Sequence, residues 1–134
     1  MTTFNWPVRV YYEDTDVGGV VYYANYLRFY ERARTEWLRA IGFEQAQLAS
    51  DSGIVFAVRH VEIDYRSPAR LDDALVVEAQ IVELGKASLL FRQRLLRDDA
   101  VLSTATVKVV CLNHKTFRPV AIPTKVRDRI HAQQ

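Results

Sequence analysis

The sequence has few of the residues that cross-link a chain or interrupt its helices and strands. Its 134 residues include one cysteine, Cys111, so an intramolecular disulfide and a cysteine-rich zinc site are excluded. Glycine and proline number only five and four, and no internal repeat is visible. No apolar run approaches the roughly 20 residues of a membrane span, and the amino terminus lacks the pattern of a signal peptide. We therefore expect a single domain over residues 1–134, without a transmembrane segment, in the reducing cytoplasm.

The sequence also lacks the residues that several common functional classes require. The net charge of +2 is too small to favour a nucleic-acid or membrane partner. His60, His114 and His131 are dispersed and form no metal-type pair, so no metal site is expected. No serine lies in a G-x-S-x-G motif, and no phosphate-binding glycine motif occurs. Metalloenzymes, elbow hydrolases and nucleotide-binding proteins are therefore disfavoured.

The amino-terminal third predicts a strand followed by a long helix. Val and Tyr residues between Phe4 and Tyr12 favour a strand. From about Tyr23 the apolar residues follow the i, i+3, i+4, i+7 rule, and Gly42 supplies a stop. The predicted apolar face consists of Tyr23, Tyr26, Leu27, Tyr30, Ala33, Trp37, Leu38 and Ile41.

The rest of the chain predicts strands, after a possible short helix over residues 44–49. Apolar residues alternate on even positions from Ile54 to Val58 and on odd positions from Val61 to Tyr65, which predicts a β-bulge or sharp bend near residues 59–60. A turn over 66–73 should follow, then strands at 74–84 and 87–97 joined near Gly85, a tight turn, and one or two strands over 101–122. A short basic helix is expected from Pro123 onward.

This order of elements indicates an α+β fold. A single helix covers a broad antiparallel sheet only when the sheet curves around it, which twisted strands allow. We expect an antiparallel sheet wrapped around a long central helix. Such a sheet has exposed edge strands, and pairing between two copies of the chain would cover them.

Carboxylates and glycines lie where the first strand gives way to the helix. Asp16 precedes a helix N-terminus, which has free N–H groups and a partial positive charge. A carboxylate beside such donors forms half of an acyl-transfer site, and Gly18 and Gly19 let the backbone approach a substrate closely. An Asp before a helix is, however, more often a cap or turn residue than a catalyst. Glu13 and Asp14 are expected to be solvated.

These sparse groups suit one reaction better than others. A thiolate is a good leaving group, since a free thiol has a pKa near roughly 8.5. Its departure needs little help from a general acid, but the carbonyl still needs an oxyanion site and an activated water or a carboxylate nucleophile. Thioester hydrolysis therefore fits better than amide hydrolysis. Cys111, flanked by apolar residues, is expected to be a core residue.

The segment from Tyr11 to Leu38 reads YYEDTDVGGVVYYANYLRFYERARTEWL. It closely resembles the active-site segment of the 4-hydroxybenzoyl-CoA thioesterase family of hotdog-fold proteins, and most of all its YbgC-like branch, which is associated with the Tol-Pal system. The resemblance continues through DYRSPARLDD at residues 64–73 and covers nearly the whole chain.

The resemblance implies a hotdog fold, an acyl-CoA thioesterase activity without a cofactor, and specific site residues. Asp16, the second Asp of the D-x-D pair, matches the catalytic carboxylate, and the Tyr23 backbone N–H matches the oxyanion donor. Tyr23 stands where many members of the branch carry His. Gly19 would border the substrate, and Lys86 and Ser88 match by rough alignment the residues that meet the phosphates of coenzyme A.

The resemblance also implies a homodimer or homotetramer, and it leaves acyl carrier protein open as an alternative carrier of the acyl group. A second hypothesis is a non-catalytic hotdog module that binds acyl carrier protein or a component of the Tol-Pal envelope system. The intact D-T-D-x-G-G loop favours the enzyme. A hotdog dehydratase is disfavoured, because it would need a histidine that the loop and the helix lack.

Overall fold

The chain folds into one antiparallel sheet and three α-helices, in a computed structural model that describes residues 2–134. This arrangement confirms the predicted α+β class. The elements are β1 (Thr3–Arg9), α1 (Asn25–Ala40), α2 (Gln45–Ser52), β2 (Ile54–Tyr65), β3 (Ala74–Leu84), β4 (Ser88–Arg97), β5 (Ala100–Asn113) and α3 (Thr124–Gln133). None of the helices within the described residues is both long and apolar enough to cross a membrane.

The five strands pair in the order β1-β3-β4-β5-β2, and every neighbouring pair is antiparallel. A hairpin at Gly85 joins β3 to β4, as the sequence predicted. The register of β2 against β5 shifts between Val58 and His60, which confirms the bulge predicted near residues 59–60. β1 and β2 are the edge strands, so each is paired on one side only within the sheet.

The long helix α1 packs against the sheet through its aromatic side chains. Tyr30 is fully buried, and its hydroxyl donates a 2.8 Å hydrogen bond to Ser103 Oγ on β5. The Trp37 ring meets the Phe91 ring of β4 edge-on, with 5.3 Å between the ring centroids. Burying a side chain of this size contributes about 1.5–3 kcal/mol. The core therefore lies between α1 and the sheet, as expected for a sheet around a central helix.

Two boundaries on either side of the Asp16 loop differ from those predicted. β1 ends at Arg9 rather than Tyr12, because Tyr12–Asp14 forms a 3-10 turn. Helix α1 begins at Asn25 rather than near Tyr23, because the Asn25 N–H closes a turn onto the Tyr22 carbonyl. The helix ends just before Gly42, whose φ of +103° lies in the left-handed region that favours glycine. That stop was predicted correctly.

The remaining expectations mostly hold. The short helix α2 and the carboxy-terminal helix α3 are both present, near the positions predicted. The chain after Ala100 forms one long strand, β5, and its continuation makes only an isolated bridge between Leu112 and Pro119. The predicted apolar face of α1 is wrong at three positions: Tyr23 precedes the helix and is exposed, Leu27 is exposed, and Phe29, which was not predicted, is fully buried.

Candidate active site

Asp16 opens a tight turn that two glycines complete. The Asp16 carbonyl accepts a 3.2 Å hydrogen bond from the Gly19 N–H, and the Asp16 N–H donates to the Val20 carbonyl at 3.0 Å. Gly18 and Gly19 have φ values of +104° and +75°, which other residues rarely adopt. A Cβ added at either glycine would meet no atom within 4 Å, so backbone conformation rather than crowding requires glycine here. The turn leaves Asp16 exposed to solvent.

The turn is fixed to the segment that precedes β3. The Val21 N–H donates to the Ala69 carbonyl at 2.8 Å, and the Leu71 N–H donates to the Gly19 carbonyl at 3.1 Å. Val20 also pairs with Arg70 in an isolated antiparallel bridge. Because both sides of the turn are held by backbone hydrogen bonds, Asp16 stands on a supported loop rather than a free one.

The prediction that Asp14 is solvated is wrong. Asp14 is only 5% exposed, and its Oδ2 accepts a 2.8 Å hydrogen bond from the Tyr11 N–H. Its carbonyl accepts from the Tyr22 N–H at 3.0 Å and from Asn25 Nδ2 at 2.9 Å. The Asp14 carboxylate therefore satisfies a backbone donor, and the Asp14 carbonyl holds the loop against the start of α1. Glu13 is exposed as expected.

Tyr23 lies in the turn that leads into α1, with its side chain 62% exposed. Among residues 2–134, the Tyr23 N–H donates to no protein acceptor. Its carbonyl, by contrast, accepts from the Tyr26 N–H at 3.3 Å and from the Tyr65 hydroxyl at 2.9 Å. The start of the helix thus presents the Tyr23 N–H as an available donor, and the Tyr23 carbonyl is held in place by two hydrogen bonds. Sequence reasoning missed Tyr65, because no local pattern connects it to Tyr23.

Exposed apolar side chains surround this loop. Val17 is 99% exposed, Tyr12 81% and Tyr11 60%, although large apolar side chains are usually buried. A shallow groove beside them is lined by Val21, Tyr23, Tyr26, Tyr65 and residues 66–68. Contiguous exposed apolar surface commonly marks a ligand or protein contact. The surroundings of Asp16 are therefore suited to an apolar ligand or to a second protein surface.

Lys86 and Ser88 lie far from Asp16 within one chain. Both belong to the β3–β4 hairpin, whereas the Asp16 turn is held near the first residue of β3. Ten residues of extended strand span roughly 30 Å. Lys86 is exposed and its carbonyl accepts from the Ile122 N–H and from Arg127, so the hairpin is fixed to the segment leading into α3. A single chain therefore brings Asp16, Gly19 and Tyr23 into one loop system but not Lys86 or Ser88.

The other reactive side chains do not form a competing centre. Cys111 is fully buried, and burial raises the pKa of its thiol to about 11, which confirms the core position predicted for it. Within residues 2–134, no group of three or more His, Cys, Asp or Glu side chains is arranged to hold a metal ion. The exposed carboxylate of Asp16 and the N–H of Tyr23 therefore stay the predicted reacting groups at this loop.

Comparison with known proteins shows the family to which the chain belongs. Residues 10–130 match the family described as the thioesterase-like superfamily. The chain is 51% identical to the acyl-CoA thioesterase YbgC of Haemophilus influenzae, over 96% of this chain and 94% of the relative. It is 47% identical to the acyl-CoA thioester hydrolase YbgC of an Escherichia coli O6:H1 strain, over 93% of each.

A solved structure extends the likeness to three dimensions. The probable thioesterase from Bartonella henselae superposes with a TM-score of 0.87 at 39% identity, covering 90% of this chain and 99% of that one. Family match, sequence identity and fold therefore agree over nearly the whole length. The chain belongs to the thioesterase-like superfamily.

Proposed function

We propose that this protein hydrolyses acyl-CoA thioesters at the loop formed by Asp16, Gly19 and Tyr23. The observation that carries the proposal is the pairing of an exposed carboxylate on a supported glycine turn with an available backbone N–H at the start of α1. The relatives at 47–51% identity are named as acyl-CoA thioesterases, which supports the same reaction class.

The Asp16 carboxylate serves the reaction in one of two ways. As a general base it takes a proton from water while the water oxygen attacks the thioester carbonyl. As a nucleophile its own oxygen attacks, which gives a mixed anhydride that water then hydrolyses. In both routes the carbon–sulfur bond breaks, coenzyme A leaves as a thiolate that gains a proton from solvent, and the acyl group leaves as a carboxylic acid.

The Tyr23 N–H serves as the oxyanion donor. Charge develops on the carbonyl oxygen when the nucleophile attacks, and a donor fixed in advance stabilises that charge without reorganising during the reaction. The partial positive charge at the start of α1 adds to this effect. Because the donor belongs to the backbone, a tyrosine side chain at position 23 retains it. Gly19 borders the same turn and leaves open space beside the substrate.

We infer that the active form is a homodimer or homotetramer. β2 is a twelve-residue edge strand with one unpaired side, and the Asp16 loop carries exposed apolar side chains. A second subunit paired at β2 would cover the edge. Lys86 and Ser88 are too far from Asp16 to contact the same coenzyme A within one chain, so their proposed contact with its phosphates requires the hairpin of another subunit.

The direct test is a survey of acyl-CoA esters of increasing chain length with the intact protein. Released coenzyme A can be followed with a thiol reagent, because the single cysteine, Cys111, is buried. Saturable release that depends on the enzyme supports the proposal. Binding of the esters without release would instead indicate the non-catalytic binding module, an alternative that none of the relatives described here supports. Acyl carrier protein as carrier, the Tol-Pal association and a cytoplasmic location stay predictions from sequence.

A further inference from the structure

The Asp16 loop, residues 10–21, is held at both ends by a single segment, residues 69–73, which precedes β3. Four backbone hydrogen bonds of 2.8–3.1 Å join the two, each from an N–H to a carbonyl oxygen. They run from Val10 to Asp73, from Asp72 to Val10, from Val21 to Ala69 and from Leu71 to Gly19. The position of the loop therefore depends on the position of this segment.

The same segment also contacts the start of α1. The Ala69 N–H donates to the Tyr26 hydroxyl at 2.9 Å, and both residues are buried. Tyr26 lies in the first turn of the helix whose start presents the Tyr23 N–H. Residues 69–73 therefore contact both the loop that carries the proposed base or nucleophile and the helix that carries the proposed oxyanion donor.

Asp73 and Arg97 hold the segment in place. Asp73 Oδ2 accepts hydrogen bonds from the Arg70 N–H and from Arg97 Nη1, each at 2.8 Å. Arg97 Nη1 also donates to the Pro68 carbonyl at 3.3 Å. Arg97 is the last residue of β4, a strand that is paired on both sides. The ion pair therefore ties the turn before β3 to the end of an inner strand.

The segment needs this support, because part of its backbone has a conformation that side chains disfavour. Asp72 has a φ of +70°, in the left-handed region that few residues other than glycine adopt. The Asp73 carboxylate stabilises the turn with one hydrogen bond from a cation and one from the backbone. Charge-assisted hydrogen bonds of this kind are stronger than neutral ones. The conformation of residues 69–73 therefore depends on the Asp73 side chain and its partner.

The effect of this ion pair should appear in the reaction more than in the overall stability. The Arg97 side chain is 34% exposed, and ion pairs that reach solvent contribute little to the free energy of folding. Catalysis is more sensitive to position, since a displacement of about 1 Å can lower a rate about a hundredfold. A small movement of residues 69–73 would displace Asp16 relative to the Tyr23 N–H.

We propose that Asp73 and Arg97 are positioning residues for thioester hydrolysis, and that they act as a pair. Together they fix residues 69–73, and through this segment they fix the distance between the Asp16 carboxylate and the Tyr23 N–H. Neither side chain has to touch the substrate. This inference rests on the proposed function.

The test compares Asp73→Asn, Arg97→Met and the double variant. Asparagine keeps the size of the side chain and an acceptor for the Arg70 N–H, but it removes the charge. Methionine removes the guanidinium and keeps an apolar stem. Arg94→Met is the matched control, because Arg94 lies on the same strand and forms its ion pair with Glu78, within β3 rather than in the segment.

We expect each single substitution to lower kcat for octanoyl-CoA by about ten- to a hundredfold, since the reacting groups are displaced but not removed. KM should change less, and Arg94→Met should keep the kcat of wild type. The double variant should be no slower than the slower single variant, because residues that act as one unit are not additive. A lower melting temperature with unchanged kcat, or losses that multiply in the double variant, would overturn the proposal.

Amide hydrogen exchange tests the same contacts without a substrate. Both single variants should exchange faster than wild type in peptides that cover residues 10–21 and 69–72, and at the rate of wild type in β5. Unchanged exchange in those two peptides would overturn the inference whatever the activity. If wild type releases no coenzyme A, the proposed function fails and the role in hydrolysis fails with it. Unchanged kcat in the variants of an active wild type overturns this inference alone.

Discussion

The Tyr65 hydroxyl donates a 2.9 Å hydrogen bond to the carbonyl oxygen of Tyr23, across 42 residues of sequence. The Tyr65 ring also packs edge-on against the rings of Tyr26 and Tyr23, with centroid distances of 5.0 and 6.1 Å. Burial raises the pKa of Tyr65, and neighbouring Tyr26 adds to the effect, so the hydroxyl keeps its proton at neutral pH. The last residue of β2 thereby holds the turn that presents the proposed oxyanion donor.

Loss of this hydroxyl should slow turnover without preventing folding. We expect Tyr65→Phe to lower kcat by about three- to tenfold, since a typical hydrogen bond contributes about 1 kcal/mol. KM for an acyl-CoA ester should change less, because most of the substrate binds elsewhere. Tyr12→Phe, at a highly exposed tyrosine, is the control. A fall in melting temperature with kcat unchanged would show that the Tyr65 hydroxyl is structural only.

Asp14 should matter for stability, through its bond to the Tyr11 N–H. Asp14→Ala leaves that donor without its partner, and an unsatisfied buried group costs about 1–3 kcal/mol. Urea denaturation should show a free energy of unfolding lower by that amount. Glu13→Ala, one residue earlier and exposed, should change it by less than about 0.5 kcal/mol. Equal effects of the two substitutions would refute the structural role of Asp14.

Cys111 should make stability depend on pH in the alkaline range. The thiol pKa of about 11 lies above the ordinary value, so folding keeps the proton on the sulfur. This contribution is complete below the unfolded thiol pKa, near about 8.5, and is lost as pH rises through the folded value. Between pH 7.5 and 10.5, wild type should therefore lose more stability than Cys111→Ala, measured by urea denaturation. Equal losses of stability with pH in wild type and in Cys111→Ala would contradict the raised pKa of the Cys111 thiol.

The same burial protects the thiol from reagents. Iodoacetamide at neutral pH should leave ester hydrolysis unchanged under native conditions and should modify Cys111 only after unfolding. Mass spectrometry gives the extent of modification and the coenzyme A assay gives the activity. Rapid inactivation in step with labelling would show that Cys111 is accessible or involved in the reaction.

The oligomer should be visible in solution. A chain of 15.4 kDa that pairs at β2 should scatter light as a dimer or tetramer at micromolar concentration. Dilution that separates the subunits should also lower the specific activity, if each site uses the hairpin of its partner. A monodisperse monomer with full activity would contradict both the oligomer and the proposed role of Lys86 and Ser88.

Local patterns in the sequence predicted most of the fold. The change of parity between Val58 and Val61 predicted the bulge, because a strand with one buried face cannot otherwise change sides. The apolar spacing from Tyr23 to Ile41 predicted α1, two residues too early at its start, and Gly42 predicted its end. These features depend on periods of 2 and 3.6 residues, which the sequence displays directly.

Features that depend on tertiary contacts were missed. The burial of Asp14 follows from its bond to the Tyr11 N–H, and the bond from Tyr65 to Tyr23 joins distant segments. The partial burial of Arg34 could have been predicted, since Arg34 lies four residues after Tyr30 and four before Leu38, within the apolar stripe of α1. A charged residue at such a position needs a buried partner, and here that partner is Gln93, whose Oε1 accepts a 2.9 Å hydrogen bond from the guanidinium.

The central claim is that the Asp16 carboxylate performs the chemistry, and kcat of Asp16→Asn tests it most directly. Asparagine keeps the size of the side chain and most of its hydrogen bonding but removes the basicity, and the position is exposed, so folding should change little. Positioned general bases contribute about a hundred- to ten-thousand-fold. We predict that kcat for an acyl-CoA ester falls by that factor, that KM moves less, and that Asp14→Asn has a milder effect on kcat. Near-normal turnover of Asp16→Asn, with an unchanged melting temperature, would contradict the account.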